Sequence, residues 1–253
     1  MSTILATSKV SKSFGGVIAA DSISIDIPAG QVVSLIGSNG AGKTTFVNMV
    51  TGYVKPDSGS ILLGGRNITA LGPREITRLG VSRSFQIPQI FLRLTTLQNV
   101  VLAIDIHEGG FGRHFRQAVT PAKAERAMDV LSSYRLGRYA DQLASSLPGG
   151  VRKLLDIALA VVCDPQVLFL DEPTSGTANQ EKFAIMDLIM SALARQKVSV
   201  MFIEHDMEIV RRYARTVIAF HEGGLLMNGA TNDVLNSEIV RKHVIGKVGT
   251  VQS

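Results

Sequence analysis

Gly37, Ser38, Asn39, Gly40, Ala41, Gly42, Lys43, Thr44 and Thr45 have the types and spacing to hold a polyphosphate. They fit G-x-x-x-x-G-K-[ST], directly after the apolar run Gly30 to Gly37 and directly before the helical pattern of residues 45–52. Small residues let the main chain wrap phosphate oxygens, while its N–H groups and the start of the following helix present positive partial charge. Lys43 has the reach for the β- and γ-phosphates, and the Thr44 hydroxyl suits a Mg2+ ligand. Two further segments supply reacting groups. "QVLFLDEP" delivers Asp171 and Glu172 at the C-terminal end of an apolar strand, Asp171 for water-mediated Mg2+ contact and Glu172 to polarise an attacking water as general base. "VSVMFIEH" ends on His205, 34 residues after Asp171. With one helix between them, a parallel sheet would bring His205 to the same edge as Lys43 and Glu172, where it can hold a γ-phosphate and a water in line. Taken singly, an acid pair or a histidine at a strand end is ordinary; beside the glycine-rich loop each acquires a role.

A second glycine feature is less settled. In "SSLPGGVRKLLDIALA", Gly149 and Gly150 open a helical pattern, flanked by Pro148 and Val151. The pair is compatible with a phosphate-binding turn, a turn that has lost part of its equipment, or a plain helix start.

The elements that must position these groups follow from periodicity. Short apolar runs at "GQVVSLIG", "QVLFLDEP" and "VSVMFIEH", separated by helical patterns, predict a doubly wound α/β core with a parallel sheet. Alternation in "DSISIDI", with a later "GSILLGG", predicts flanking antiparallel strands. From about Pro88 to Pro148 strand signals give way to helical ones. One helix there starts at Thr120-Pro121 and turns Ala124, Ala127, Met128, Leu131 and Tyr134 inward. "HEGGFGRHF", from His107 to Phe115, reads as a loop with surface histidines. Thr177 and Gln180 suggest a capping box for a helix that buries Phe183, Met186, Met190 and Leu193.

The chain has 253 residues, of which 45% are apolar and 19% charged, which is a globular composition. No apolar run reaches the roughly 18 to 20 residues of a membrane span. There is no secretory pattern at the N-terminus, so a cytoplasmic location is the default expectation. Cys163, the single cysteine, sits in an apolar run and reads as a buried thiol. The net charge of +5 is carried by scattered pairs such as Arg152 and Lys153, read as solvated faces; no basic stripe with interleaved aromatics points to nucleic acid.

Taken together, the glycine-rich loop, Gln86 after "SRSF", the helical insertion, the later glycine pair, Asp171-Glu172 and His205 resemble the nucleotide-binding subunit of an ABC transporter over nearly the whole chain. "KSFGGVIAADSISIDIPAG", "NGAGKTTFVNMVTG", "ITRLGVSRSFQ", "EHDMEIV" and "EIVRKHVIG" are most similar to the subunits that serve branched-chain amino acid and amide importers. The resemblance implies one ABC ATPase domain of the P-loop NTPase class, its parallel-sheet core flanked by an antiparallel β-subdomain and a helical insertion. It would divide into 1–86 (β-subdomain and P-loop core), 87–148 (insertion), 149–230 (core continuation) and 231–253 (C-terminal helix and tail). It implies ATP and Mg2+ as cofactors, Phe14 stacking on adenine, and Gln86 reaching Mg2+ and the attacking water. It further implies a second ATPase subunit in a head-to-tail dimer, two transmembrane permease subunits touched by the insertion, and an extracytoplasmic solute-binding protein acting indirectly. The place of work would be the cytoplasmic face of the membrane. Weakly hydrolysing nucleotide-gated modules and lipopolysaccharide-type exporters share much of the pattern and remain alternatives.

Two departures from the family pattern stand out. Its signature is Leu-Ser-Gly-Gly-Gln, whereas this chain has Leu147, Pro148, Gly149, Gly150 and Val151, so the serine hydroxyl and glutamine amide are gone. The D-loop carries Ala178 where an acid or its amide is usual. In the family these elements close over the partner's ATP. One lost bond to a charged phosphate is worth on the order of 1.5 to 3 kcal/mol, a roughly ten- to hundredfold weaker closure. Since Lys43, Thr44, Gln86, Asp171, Glu172 and His205 serve the chain's own ATP and are intact, the expectation is a heterodimer with unequal sites, although a homodimer stays open.

Overall fold

The computed structural model describes residues 2–109, 120–177, 180–194 and 196–246. In chain order they form β1 (Thr3–Phe14), β2 (Val17–Pro28), β3 (Val32–Ile36), α1 (Lys43–Val50), β4 (Ser58–Leu63), β5 (Arg66–Asn67), α2 (Pro73–Arg78) and β6 (Val81–Ser84). The chain continues with α3 (Thr96–His107), α4 (Pro121–Ser133), α5 (Gly149–Val161), β7 (Val167–Asp171), α6 (Lys182–Leu193) and β8 (Ser199–Ile203). It ends with α7 (Met207–Tyr213), β9 (Thr216–His221), β10 (Gly224–Ala230), α8 (Thr231–Asn236) and α9 (Glu238–Val240). Among the described residues no helix is long and apolar enough to cross a membrane. Two compact units result, Met1–Ile76 with Val198–Ser253, and Thr77–Lys197.

In the first unit, the alternation of "DSISIDI" becomes β2, whose Ile23, Ile25 and Ile27 are buried while Ser22, Ser24 and Asp26 face out. β1 lies between β2 and β4, antiparallel to both, and β5 extends the sheet. The second sheet of this unit is built on β3, which pairs parallel with β8 on one side and β9 on the other; β10 returns antiparallel along β9. Every residue of β8 is buried, as a strand covered on both faces requires. Phe46, Val47, Met49 and Val50 of α1 are also buried, and the Phe46 ring lies 5.5 Å from that of Phe220 on β9. The predicted strands at "GQVVSLIG" and "VSVMFIEH" and the antiparallel flank are therefore present.

In the second unit, β6 and β7 pair parallel, with Ser84 opposite Leu170, and β7 is buried throughout. Among the described residues between Pro88 and Pro148 the regular elements are helices and helical turns, and the β content is an isolated bridge between Thr95 and Leu143. α4 starts as expected: the Thr120 hydroxyl accepts from Lys123 N–H and Pro121 takes the first helical position. Ala127, Leu131 and Tyr134 are buried, Ala124 and Met128 half-buried. Asp105 of α3 ties to Lys123 of α4 by an ion pair. α6 begins later than predicted, at Lys182, with Glu181 as an uncapped N-cap. Thr177 instead donates to the Thr174 carbonyl 2.6 Å away, closing a local turn rather than starting the helix. Its buried face is Met186, Ile189 and Leu193, with Phe183 and Met190 half-buried. His107 is exposed at the end of α3, and positions 110–115 of the predicted loop lie outside the described residues.

One buried side chain organises the run into α3. Asn99, 2% exposed, accepts from Phe91 N–H (2.8 Å) and donates to the carbonyls of Phe91 (3.1 Å) and Thr95 (2.9 Å). It satisfies main-chain groups of residues 91–95 that no strand ladder serves. Asn99→Leu should therefore cost about 2 to 3 kcal/mol, measured as a fall in the urea midpoint at constant slope.

Candidate functional site

In the first unit the phosphate-loop residues sit where β3 gives way to α1. Gly42 is the N-cap of α1, at φ 100, and no side chain caps the helix, so its first-turn N–H groups face the loop. Gly40 and Gly42 hold left-handed φ values of 79 and 100. A Cβ at Gly42 would meet the Ala19 carbonyl oxygen at 2.6 Å, and one at Gly37 would meet that of Phe220 at 2.7 Å. The glycines are therefore demanded by crowding as well as by φ. Lys43 is buried, its Nζ donating to the Gly37 (2.6 Å) and Ser38 (2.9 Å) carbonyls, which curls the loop around the ammonium. Ala41 accepts from Gly223 N–H at 3.2 Å, so the β9–β10 turn braces the loop. Asn39 and Gly40 are exposed at its crest; Thr44 is exposed at the helix start and Thr45 half-buried behind it.

The strand register brings His205 to this edge. Leu35 of β3 pairs with Ile203 of β8, so Gly37 and His205 both lie two residues beyond a paired position at the carboxyl ends of parallel neighbours. His205 is exposed, just ahead of Asp206, whose carboxylate caps α7 by accepting from Glu208 N–H. Phe14 ends β1 opposite Val17, 48% exposed, with Lys12 Nζ 5.4 Å from its ring centre. An exposed aromatic at a hairpin end has a free face for stacking.

In the second unit the same logic acts on β6 and β7. Beyond the Ser84–Leu170 pair, the two strands release Phe85-Gln86 and Asp171-Glu172 side by side. Gln86 Nε2 donates to Glu172 Oε2 at 2.9 Å. Arg83 on β6 donates to Asp171 Oδ2 at 2.6 Å in a nearly buried ion pair. Glu172 takes φ 46, a left-handed backbone that costs a non-glycine residue roughly 1 to 2 kcal/mol and turns its side chain away from the strand's alternation.

α5 opens at Gly149 with Pro148 as an uncapped N-cap. A Cβ at Gly149 would meet nothing within 4 Å, and one at Gly150 only Thr177 Cγ2 at 3.8 Å. Neither glycine is required by the fold of its own chain. Ala178 and Asn179 lie outside the described residues.

Sequence reasoning missed three groups. Arg83 lies on β6, a strand that the apolar runs did not signal. Lys153, expected on a solvated face, is 4% exposed, and its Nζ donates to the carbonyls of Phe85 (2.7 Å) and Asp171 (2.8 Å). Asp156, also 4% exposed, accepts from the N–H groups of Phe85 (2.9 Å) and Gln89 (2.8 Å), and burial pushes its carboxyl above the usual range. The missed signal was a Lys and an Asp three apart inside an otherwise apolar helix face. Cys163 is half-buried, its thiol pushed up first by burial and then by Asp164.

In the first unit Lys43 and the loop N–H groups suit phosphate, and the Thr44 hydroxyl is an oxygen donor of the type Mg2+ prefers. In the second unit the Gln86 amide and the Asp171 carboxylate are oxygen donors of the same type. Among the described residues no cluster of three His, Cys, Asp or Glu side chains forms a metal cage of another kind. The loop geometry carries a test: Gly42→Ala should weaken binding of a fluorescent ATP analogue at least about tenfold, because the added methyl displaces the N-cap of α1 by crowding Ala19.

Residues 20–175 match the family model described as ABC transporter. The probable branched-chain amino acid transport ATP-binding protein LivG of Archaeoglobus fulgidus is 32% identical over 250 residues, covering 96% of this chain and 95% of the relative. The high-affinity branched-chain amino acid transport ATP-binding protein LivG of Salmonella typhimurium is 33% identical over 251 residues, with 96% and 98% covered. Among solved structures, the ADP conformation of MJ1267, an ATP-binding cassette of an ABC transporter, superposes with a TM-score of 0.84 at 29% identity, covering 96% of this chain and 98% of that one. A nucleotide-free ATP-binding cassette from an ABC transporter gives 0.82 at 28% identity. A P-loop that its own crowding restricts to glycine and an acid pair released at a parallel strand edge thus occur in a chain that belongs to the ABC transporter family, as an ATP-binding and ATP-hydrolysing subunit.

Proposed function

We propose that this chain powers an importer for branched-chain amino acids or related amides, in the manner the names of its relatives describe. Two transmembrane permease subunits would accept its movement, and a solute-binding protein outside the membrane would select the cargo. The chain itself would lie on the cytoplasmic face. Four exposed apolar side chains of the second unit support a partner there: Ile87, Phe91, Leu92 and Leu143. The main-chain bonds Ser145 N–H to Leu92 and Ala144 N–H to Leu94 hold the last two on neighbouring segments.

The reaction is transfer of the γ-phosphoryl group of ATP to water. Gly37 to Thr45 bind the phosphates, with Lys43 countering charge on the β and γ groups; Phe14 stacks on the base. Mg2+, when bound, neutralises charge on the phosphate oxygens, and Thr44, Gln86 and Asp171 would hold it, Asp171 through water because Arg83 already engages one of its oxygens. Glu172 takes the proton of the attacking water, and His205 keeps the γ-phosphate in line. The observation that carries this assignment is the hydrogen bond from Gln86 to Glu172, which fixes a base oxygen beside an amide able to orient water.

We further infer that the chain works in a head-to-tail pair with a second, different ATPase subunit. Gly149 and Gly150 are dispensable to their own fold, which is what a surface used by a partner's nucleotide would show. Their N–H groups remain, but Pro148 and Val151 offer no side-chain donor. A partner with a complete signature would then serve this chain's ATP, and the site closed by this chain would turn over slowly. In the assembled transporter, Glu172→Gln should leave ATP binding intact and reduce turnover by about a hundredfold or more, while the matching change in the partner costs little. Equal losses from the two changes would sink the asymmetric reading.

A further inference from the structure

Two buried, oppositely charged side chains of α5 hold the two catalytic segments of the second unit to one helix. Lys153 Nζ donates to Phe85 O at 2.7 Å and to Asp171 O at 2.8 Å, with Gln86 O at 3.4 Å. Asp156, one turn further on, accepts from Phe85 N–H through Oδ2 and from Gln89 N–H through Oδ1. Both groups of the Phe85 residue are therefore held by α5. These main-chain groups lie past the last paired residues of β6 and β7, where the ladder no longer serves them. An ammonium with three donors and a carboxylate with two acceptor oxygens supply what the strand ends need, and those bonds compensate their desolvation. The Asp171 carbonyl belongs to the peptide immediately before Glu172. Following the bonds from Lys153 to Phe85, along the chain to Gln86, across to Glu172 and back through Asp171 closes a ring on the same ammonium.

We infer that Lys153, supported by Asp156, is a positioning residue for hydrolysis: it sets the Gln86–Glu172 geometry from the helix whose first turn is Gly149-Gly150. The inference rests on the assignment of Gln86 and Glu172 proposed above. Its consequence is that any displacement of α5 at its glycine end is delivered to this chain's own base and glutamine through two side chains. The helix that presents the signature to a partner's nucleotide thus also reports on that contact to the chain's own water-activating pair. Such a link passes through a few rigid bonds of the main chain and needs no flexible segment.

The test uses the full chain in its assembled transporter. Lys153→Met keeps the stem and removes the donors; it should lower kcat by about ten- to a hundredfold while the KM for ATP stays within about twofold. Lys153→Gln retains an amide donor and should lose less. Because both arms held by Lys153 end on Glu172, one through Gln86 and one through the Asp171 peptide, the double variant Lys153→Met/Glu172→Gln should be no slower than Glu172→Gln alone. Unchanged kcat in Lys153→Met, a KM that rises in step with the loss, multiplying effects in the double variant, or failure of both Lys153 variants to fold would each overturn the inference and leave a structural lysine. Gln86→Ala and Glu172→Gln, run beside them, separate the two levels. Full turnover in those variants removes the underlying assignment. Their loss of turnover with Lys153→Met at full speed removes only this inference.

Discussion

A parallel pair of strands releases both its chains at one edge, and the phosphate loop, His205, Gln86 and the acid pair all depend on that constraint. In the first unit the β3–β8 register leaves the phosphate loop and His205 equally far past their last paired residues. In the second, β6 and β7 do the same for Gln86 and Glu172. The cost is a set of main-chain N–H and C=O groups that the ladder abandons at the place where chemistry happens. Each unit resolves this cost differently. The first turns its strand end into a helix start and lets Lys43 bind the Gly37 and Ser38 carbonyls. The second brings in a buried Lys–Asp pair from a helix that is distant in sequence.

The two solutions differ in what they permit. A loop made of backbone and a curled lysine is specified by crowding: at Gly37 and Gly42 the Phe220 and Ala19 carbonyls leave no room for a side chain. Its shape tolerates little change. The Gln86–Glu172 pair is specified at long range, by charges on α5 and by Arg83 on the neighbouring strand. Buried ion pairs add little net stability, since desolvation offsets most of their attraction, but each member fixes the position of what it binds. The second unit therefore trades stability for placement around its acids, and the left-handed backbone of Glu172 is a further cost of the same kind.

This difference also decides what could be seen in the sequence. The strands that lead into the phosphate loop, the acid pair and His205 were legible because each is a short apolar run between helical patterns. The antiparallel flank and α4 were legible through alternation and a Thr-Pro start. The α6 boundary was not, because the Thr177 hydroxyl donates to the nearby Thr174 carbonyl instead of accepting from a helix N–H. Lys153 was misread, and Asp156 passed without notice, for a deeper reason. A charged residue in a helix is usually solvated, and nothing local says that two strand ends are waiting for it. Only the apolar face around the two charges hinted otherwise, as the pattern Leu154, Leu155, Ile157 and Ala158 leaves that side no route to water.

The glycine pair at the start of α5 gains its meaning from the same helix. Its residues satisfy no conformational need of their own, and the side chains that would flank them with donors in related proteins are replaced by Pro148 and Val151. Proline at that position still fits, because an N-cap followed by two open N–H groups keeps the helix dipole pointing outwards even when no hydroxyl supplements it. The lost donors therefore weaken what α5 can offer a phosphate without altering where α5 lies. Lys153 and Asp156 are engaged within the first turns past the glycines, through bonds that involve neither Pro148 nor Val151. What the tip offers a phosphate and what the helix body holds therefore rest on different side chains of one element.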